Sequence, residues 1–444
     1  MGKYFGTDGF RGEANVTLTV EHAFRIGKFL GARCTEDRKA RIVIGKDTRL
    51  SSYMLEYALV AGLTSVGADA YLLHVTTTPS ISYVVRSEGF DAGIMISASH
   101  NPYTDNGIKL INRHGEKMSD EMTDKIEKFL DSSDDIPLAR GGDIGRTVDY
   151  VLGRNRYTGY IISLARHSYK GLRVGLDAAN GSAWMLAKSI FDALGAKTYV
   201  IGNEPSGTNI NLGCGSTHID ALCDLVWRES LDVGFAFDGD ADRCLAVDEG
   251  GSVITGEGIL YSAAKHLKSR GSLNGNTVVT TVMSNLGLKD ALEREGIDCI
   301  QTDVGDRFVW EAMRKGGYSL GGEESGHIIF SKYATTGDGL ITAIKMMEIL
   351  IESKLPASRL CDGLDMYPQL TKSVRVGDKS AAIGNKIVQK AYNEAQKTLH
   401  GVGRILLRPS GTEPVVRVMA EHPDESVCRA AVESIADALA GSGK

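Results

Sequence analysis

The sequence predicts an α/β chain of four domains: three similar mixed α/β sandwich domains and a smaller C-terminal α+β domain, around a central cleft. Three observations carry this. The chain has 444 residues, about three domain-lengths at ~150 residues each, so several cores are expected. One grammar of strand, polar loop, helix, glycine and strand occurs three times along it. Beyond residue 368 that grammar stops.

In the first copy, residues 41–45 read as a buried strand, Lys46 to Arg49 as a polar loop, 52–66 as a helix, Gly67 as its stop and 70–74 as the next strand. In the second, the strand is 172–176, the loop 177–182, the helix 183–194, the stop Gly195 and the strand 197–201. The third runs through strand 277–281, loop 282–285, helix 286–295, stop Gly296 and strand 298–302. A glycine just past a helix supplies the left-handed cap residue. A strand–helix–strand crossover implies parallel strands buried on both faces. The C-terminal part differs: strands at 373–376, 404–407 and 415–419 and helices at 381–399 and 426–439 suggest hairpin-linked strands under two helices. Where each pattern restarts, domains of residues 1–153, 154–254, 255–367 and 368–444 are expected.

Composition narrows the function. Apolar residues at 42% and charged residues at 24% are ordinary for a globular protein. A net charge of −6 argues against non-specific nucleic-acid binding. Seven scattered cysteines without a CxxC pair argue against a disulfide framework, and a reducing cytoplasm is expected. No apolar run is long enough for a membrane span, and the N-terminus lacks a signal-peptide core. There is no GxxxxGK[ST], no HExxH and no Cys/His cluster.

Four polar loops remain. Ser97 to Pro102 (SASHNP) follows the buried strand 92–96, at a strand end where open parallel sheets place ligands. Ser99 beside His100 is a candidate nucleophile, and Lys109 a nearby source of positive charge. Asp238 to Arg243 (DGDADR) follows the strand 233–237. Asp238, Asp240 and Asp242 at i, i+2, i+4 would share one side of an extended segment, and three such carboxylates suit a hard cation, Mg²⁺ or Ca²⁺. The spacing is like the opening of an EF-hand loop, but Arg243 stands at place six, where glycine is required, and residues 246–248 continue as strand. In the third loop, Gly322 to His327 (GEESGH), the side chains of Glu323, Ser325 and His327 suit sugar hydroxyls. The fourth, Arg408 to Pro414 (RPSGTEP), has the parts of a phosphate cradle in Arg408, Ser410, Gly411 and Thr412, with Arg417 assisting. Together they point to phosphoryl transfer on a phosphorylated polyol.

All four segments, in this order, resemble the signature loops of the α-D-phosphohexomutase superfamily. Residues 2–12 (GKYFGTDGFRG) and 99–109 (SHNPYTDNGIK) are similar to its bacterial phosphoglucosamine mutase branch. Glu324 stands where that branch usually has Gln, in the loop that carries sugar preference. The resemblance implies a heart-shaped four-domain fold and an isomerase interconverting glucosamine 6-phosphate and glucosamine 1-phosphate, toward UDP-N-acetylglucosamine and cell-wall precursors. Glucose or mannose phosphates are the alternative substrates. It implies a phosphorylated Ser99, one Mg²⁺ on Asp238, Asp240, Asp242 and a phosphoserine oxygen, and a hexosamine or hexose 1,6-bisphosphate as activator. Arg11, Lys109 and Arg243 would offset the surplus negative charge. Glu323 and Ser325 would hold the sugar, and His100, Lys109 and His327 are the candidate acid/base groups. The implied partner is a phosphosugar, with no nucleic acid or membrane, and a homodimer is a family expectation.

Overall fold

The computed structural model describes residues 2–6, 8–34, 38–399, 401–409 and 415–441. The chain divides into two compact units, Met1–Met283 with Ile297–Asp362, and Ser284–Gly296 with Gly363–Lys444.

The first unit holds three mixed sheets. The N-terminal sheet contains β1 (Phe5–Gly6), β2 (Gly9–Glu13), β3 (Arg41–Lys46), β4 (Asp69–Val75), β5 (Ala92–Ile96), β6 (Asp105–Asn112) and β7 (Thr147–Asp149), in the order β1-β2-β6-β5-β3-β4-β7. β3 runs parallel to β4 and β5, whereas β6 is antiparallel to β5 and β2. Alternation in β3 separates two cores. Ile42 and Ile44 pack with Leu55, Leu59 and Leu63 of the helix Leu50–Ser65, while Val43 packs with Ile81, Val84 and Val85 of the helix Thr78–Glu88. The chain thus leaves β3 over one face and β4 over the other. This reversal puts the ends of β3 and β5 at a topological switch point.

The second sheet has β8 (Arg173–Asp177), β9 (Lys197–Ile201), β10 (Val233–Phe237), β11 (Cys244–Asp248) and β12 (Val253–Ile254), ordered β12-β11-β10-β8-β9. The third has β13 (Thr277–Thr281), β14 (Asp298–Thr302), β15 (Leu320–Gly322) and β16 (Ile328–Phe330), ordered β14-β13-β15-β16. In each repeat the stop glycine takes the left-handed conformation, with φ of 94° at Gly67, 95° at Gly195 and 63° at Gly296. The second repeat's helix is shorter than the sequence suggests. It spans Leu186–Ala193, because residues 181–185 form turns.

In the second unit, β17 (Gln369–Arg375), β18 (Arg404–Pro409) and β19 (Val415–Glu421) form an antiparallel sheet ordered β17-β19-β18. Val416, Val418 and Ala420 face the helices Lys386–Leu399 and Glu425–Gly441 through Val388, Leu399, Cys428 and Ile435. The helix expected over 381–399 is two. Asn385 is extended (ψ 131°), ending the helix Lys379–Gly384, and its side chain accepts from Ile387 N to start the next. Among the described residues no helix is long and apolar enough to cross a membrane.

Candidate active site

β5 is buried throughout and delivers the Ser97–Asn101 loop to the switch point. Ser99 has a left-handed backbone (φ 52°), a conformation that costs a residue with a β-carbon roughly 1–2 kcal/mol. Several contacts hold it there. Ser99 N donates to Ser97 Oγ at 3.0 Å. Arg49 Nη2 donates to the carbonyls of Ser99 (3.1 Å) and Asn101 (2.6 Å). Asn211 Nδ2 donates to the same two carbonyls at 2.9 and 3.1 Å. Arg49 is fully buried and paired with Asp47. Gly239 closes the other side, since a β-carbon there would lie 2.5 Å from Ser99 O. The strain is therefore over-determined by its surroundings, and Ser99 Oγ is aimed. It donates to Asp238 Oδ2 at 2.5 Å and lies 3.3 Å from His100 Nδ1.

The three aspartates converge, but not along an extended segment as their spacing suggests. They sit in a turn between β10 and β11 with Ala241 left-handed (φ 55°), and one oxygen from each lies within 4.8 Å of the others. Lys109 Nζ donates to Asp240 Oδ2 at 2.7 Å and Asp242 Oδ2 at 3.3 Å. The Thr78 hydroxyl also donates to Asp240. Arg243 N donates to Asp238 Oδ1 at 3.1 Å. The second oxygen of Asp240 is buried without a hydrogen-bond partner, and that of Asp242 has only the longer contacts to His327 Nδ1 (3.8 Å) and Arg243 Nε (3.9 Å). Orphaned buried carboxylate oxygens are costly, and together with this all-oxygen donor set they fit a hard divalent cation. Burial, with Asp242 and Asp240 beside it, pushes the Asp238 carboxyl well above the usual range. At Asp242 burial acts the same way, but Lys109 and His327 outweigh it and hold the group low.

A cavity of about 560 Å³ opens beside this cluster. Arg11, His100, Arg243, Glu323, Ser325 and His327, all expected from sequence, line it, as do Glu324 and Asp306. Arg11 pairs with Asp8 and donates to Ala98 O at 3.3 Å and Asn101 Oδ1 at 3.4 Å. Burial, with Arg243 and Arg11 nearby, lowers His100 to about 4, so its ring is neutral at pH 7. Burial opposes the charged form of His327, but Asp306 and Asp242 push it up to about 9. The Gly337 N–H lies 2.9 Å from His327 Nε2 and favours a neutral ring. The flanking carboxylates are the stronger influence. Burial raises the Glu323 carboxyl, and Glu323 Oε1 accepts from Gly305 N at 3.2 Å. Gly326 (φ 88°) must be glycine, because a β-carbon would lie 2.4 Å from Cys244 O and push the Gly322–His327 loop off the start of β11.

In the second unit, Arg408 and Arg417 lie directly opposite each other on β18 and β19, both exposed. Ser410, Gly411 and Thr412 lie outside the described residues. Sequence reasoning missed Asp8, Thr78, Lys117, Asp306 and Asn211. Arg49 was seen only as part of a polar loop.

Comparisons agree with this geometry. Family models for phosphoglucomutase/phosphomannomutase match residues 2–136 (alpha/beta/alpha domain I), 155–251 (alpha/beta/alpha domain II), 255–367 (alpha/beta/alpha domain III) and 372–439 (C-terminal domain). The chain belongs to the phosphoglucomutase/phosphomannomutase family. Within this family of four-domain α/β phosphohexomutases, it is 62% identical to the phosphoglucosamine mutase of Lachnospira eligens, over 100% of this chain and 99% of that one. It is 48% identical to the phosphoglucosamine mutase of Bacillus subtilis, over 99% and 98%. A phosphoglucomutase/phosphomannomutase family protein from Burkholderia thailandensis shares the fold at a TM-score of 0.81 and 23% identity, covering 98% and 97%. Aspergillus fumigatus N-acetylphosphoglucosamine mutase, solved with GlcNAc-6P and magnesium, does so at 0.70 and 17%, covering 100% and 96%.

Proposed function

We propose that the protein interconverts glucosamine 6-phosphate and glucosamine 1-phosphate through a phosphorylated Ser99 and a 1,6-bisphosphate intermediate. The observation that carries this is the aimed Ser99 hydroxyl on the buried aspartate cluster. The two full-length phosphoglucosamine mutases at 62% and 48% identity support the amino-sugar assignment.

Asp238, Asp240 and Asp242 would hold Mg²⁺ together with a phosphoserine oxygen. Bound there, the ion neutralises phosphoryl charge and stabilises the Ser99 oxygen as a leaving group. Arg408, Arg417, Ser410, Gly411 and Thr412 are assigned to the phosphate that is not being transferred. Glu323 and Ser325 accept from and donate to sugar hydroxyls. The sugar O1 attacks phosphorus, the P–O bond to Ser99 breaks, and the O1 proton passes to a base, for which the neutral His100 is the candidate, while Lys109 and His327 are the candidate acids. The 1,6-bisphosphate then turns, Ser99 Oγ attacks the 6-phosphate, the P–O6 bond breaks, the base returns its proton to O6, and glucosamine 1-phosphate leaves. A bisphosphate activator would phosphorylate resting Ser99 by the same chemistry.

The same mechanism on glucose or mannose phosphates is the second reading, favoured by the exposed Glu324 on the cavity wall. Turnover of glucosamine, glucose and mannose 6-phosphates, measured side by side with Mg²⁺ and glucose 1,6-bisphosphate, tests the choice. A kcat/KM preference for the amino sugar is expected. A preference for glucose or mannose would move the protein to the second reading.

A further inference from the structure

Six titratable side chains, acids alternating with bases, close into a ring beside the cavity. Lys109 Nζ lies 3.0 Å from Asp8 Oδ2, and Asp8 Oδ1 lies 2.6 Å from Lys117 Nζ. Lys117 Nζ is 2.7 Å from Asp306 Oδ2, which is 3.3 Å from His327 Nε2. His327 Nδ1 is 3.8 Å from Asp242 Oδ1, and Asp242 Oδ2 returns to Lys109 at 3.3 Å. Every acidic member sits between two basic ones, and every basic member between two acidic ones. Asp8, Lys109 and Lys117 come from the segment matched by the domain I model, Asp242 from domain II, and Asp306 and His327 from domain III. The ring therefore joins β6 and the turn after it to the Asp238–Arg243 and Gly322–His327 loops.

We propose that Lys117 is a positioning residue for the mutase reaction, acting through Asp8 on Lys109 and through Asp306 on His327. The proposal rests on the mutase reading above. Lys117 follows β6 in a turn bridged back to Ile111. It borders a separate groove lined by Asn112, Trp310 and Thr335, and does not line the cavity of about 560 Å³. Its partner Asp306 opens the helix Asp306–Gly316, where a carboxylate is also favoured by the helix dipole. Removing the Lys117 cation leaves Asp8 and Asp306 each one positive neighbour short. Asp8 then competes with Asp240 and Asp242 for Lys109, and Asp306 competes with Asp242 for His327. Both side chains shift away from the triad while the substrate's own contacts remain.

The test is steady-state kinetics of full-length Lys117→Met and Lys117→Arg, beside wild type, with thermal unfolding as the folding control. Misplacement of this kind costs about tenfold to about a hundredfold in rate. The expected result is that loss in kcat for Lys117→Met, with KM within about twofold, and recovery in Lys117→Arg, whose forked cation still reaches both carboxylates. An unchanged kcat in Lys117→Met, or an equal loss in both variants, overturns the proposal. Should Lys117→Met fail to fold, Asp306→Asn replaces it, with the same loss in kcat expected and full kcat contradicting. The double variant should lose no more than the worse single, because the two act on one chain of contacts. A wild type inactive on every hexose and hexosamine phosphate would overturn the mutase reading itself, and the positioning role with it. An active wild type with an unaffected variant overturns the positioning role alone.

Discussion

At the scale of single residues, Ser99 is fixed by what surrounds it more than by its own neighbours in sequence. Its left-handed backbone, its two clamped carbonyls and the missing β-carbon at Gly239 aim one hydroxyl at Asp238. Gly239→Ala tests this without touching a reacting group. The new methyl would meet Ser99 O at 2.5 Å, and neither backbone can yield without moving the serine. Folding should persist, and kcat should fall by about tenfold or more, since small misplacements of a nucleophile carry large rate costs. Wild-type kcat in that variant would show the loop to be more tolerant than its packing implies. Ser99, the aspartates, Glu323 and His327, which the structure brings together, were legible at this scale as candidates because they lie in polar loops that no core requires. Arg49 and Asn211 were not singled out. Their role is to bond backbone carbonyls from loops more than a hundred residues apart in the case of Asn211, and no local pattern marks a clamp of that kind.

At the scale of elements, the repeated grammar located strands β9, β13 and β14 to the residue; β13 is buried throughout, whereas β9 and β14 are half-exposed edge strands placed by the stop glycine that precedes each. The helix over 381–399 was read as continuous because its apolar spacing persists. Asn385 breaks it by capping the backbone that follows, a local competition that periodicity does not register. The aspartate loop was misread for a related reason. A turn and an extended segment both gather i, i+2, i+4 side chains, and only the left-handed Ala241 distinguishes them. The β18–β19 pair carries a prediction of its own. Arg408 lies opposite Arg417 across the ladder, and its exposed guanidinium is the proposed donor to the substrate phosphate. A charge-assisted hydrogen bond contributes about 1.5–3 kcal/mol, equivalent to about a tenfold to a hundredfold change in affinity. Arg408→Ala should raise KM by about that factor with a smaller effect on kcat. An unchanged KM would remove Arg408 from the phosphate site.

At the scale of the whole molecule, buried charge links stability to pH. Asp338 caps the helix Gly339–Ser353 by accepting from Ile341 N at 3.0 Å, and accepts from the Tyr157 hydroxyl at 2.9 Å. Burial overrides both bonds and raises its carboxyl from 3.8 to about 7. The folded protein thus holds a proton that the unfolded chain releases near pH 4. Its stabilising contribution is full below about pH 4 and disappears as pH rises through about 7. Asp338→Asn keeps an acceptor for Ile341 N and removes the titration. The Tm of wild type relative to Asp338→Asn should fall between about pH 4 and about pH 7, measured by thermal unfolding across that range. A constant difference would place the Asp338 carboxyl in its ordinary range. The central claim, however, concerns the phosphoryl carrier, on which every step of the proposed reaction depends. The most direct measurement is to incubate the protein with Mg²⁺ and phosphorus-labelled glucose 1,6-bisphosphate, map the label by peptide mass spectrometry, and compare Ser99→Ala. The account predicts one labelled residue, Ser99, whose label passes to added glucosamine 6-phosphate, with neither label nor turnover in Ser99→Ala. Label on another residue, or near-normal turnover by Ser99→Ala, would contradict it.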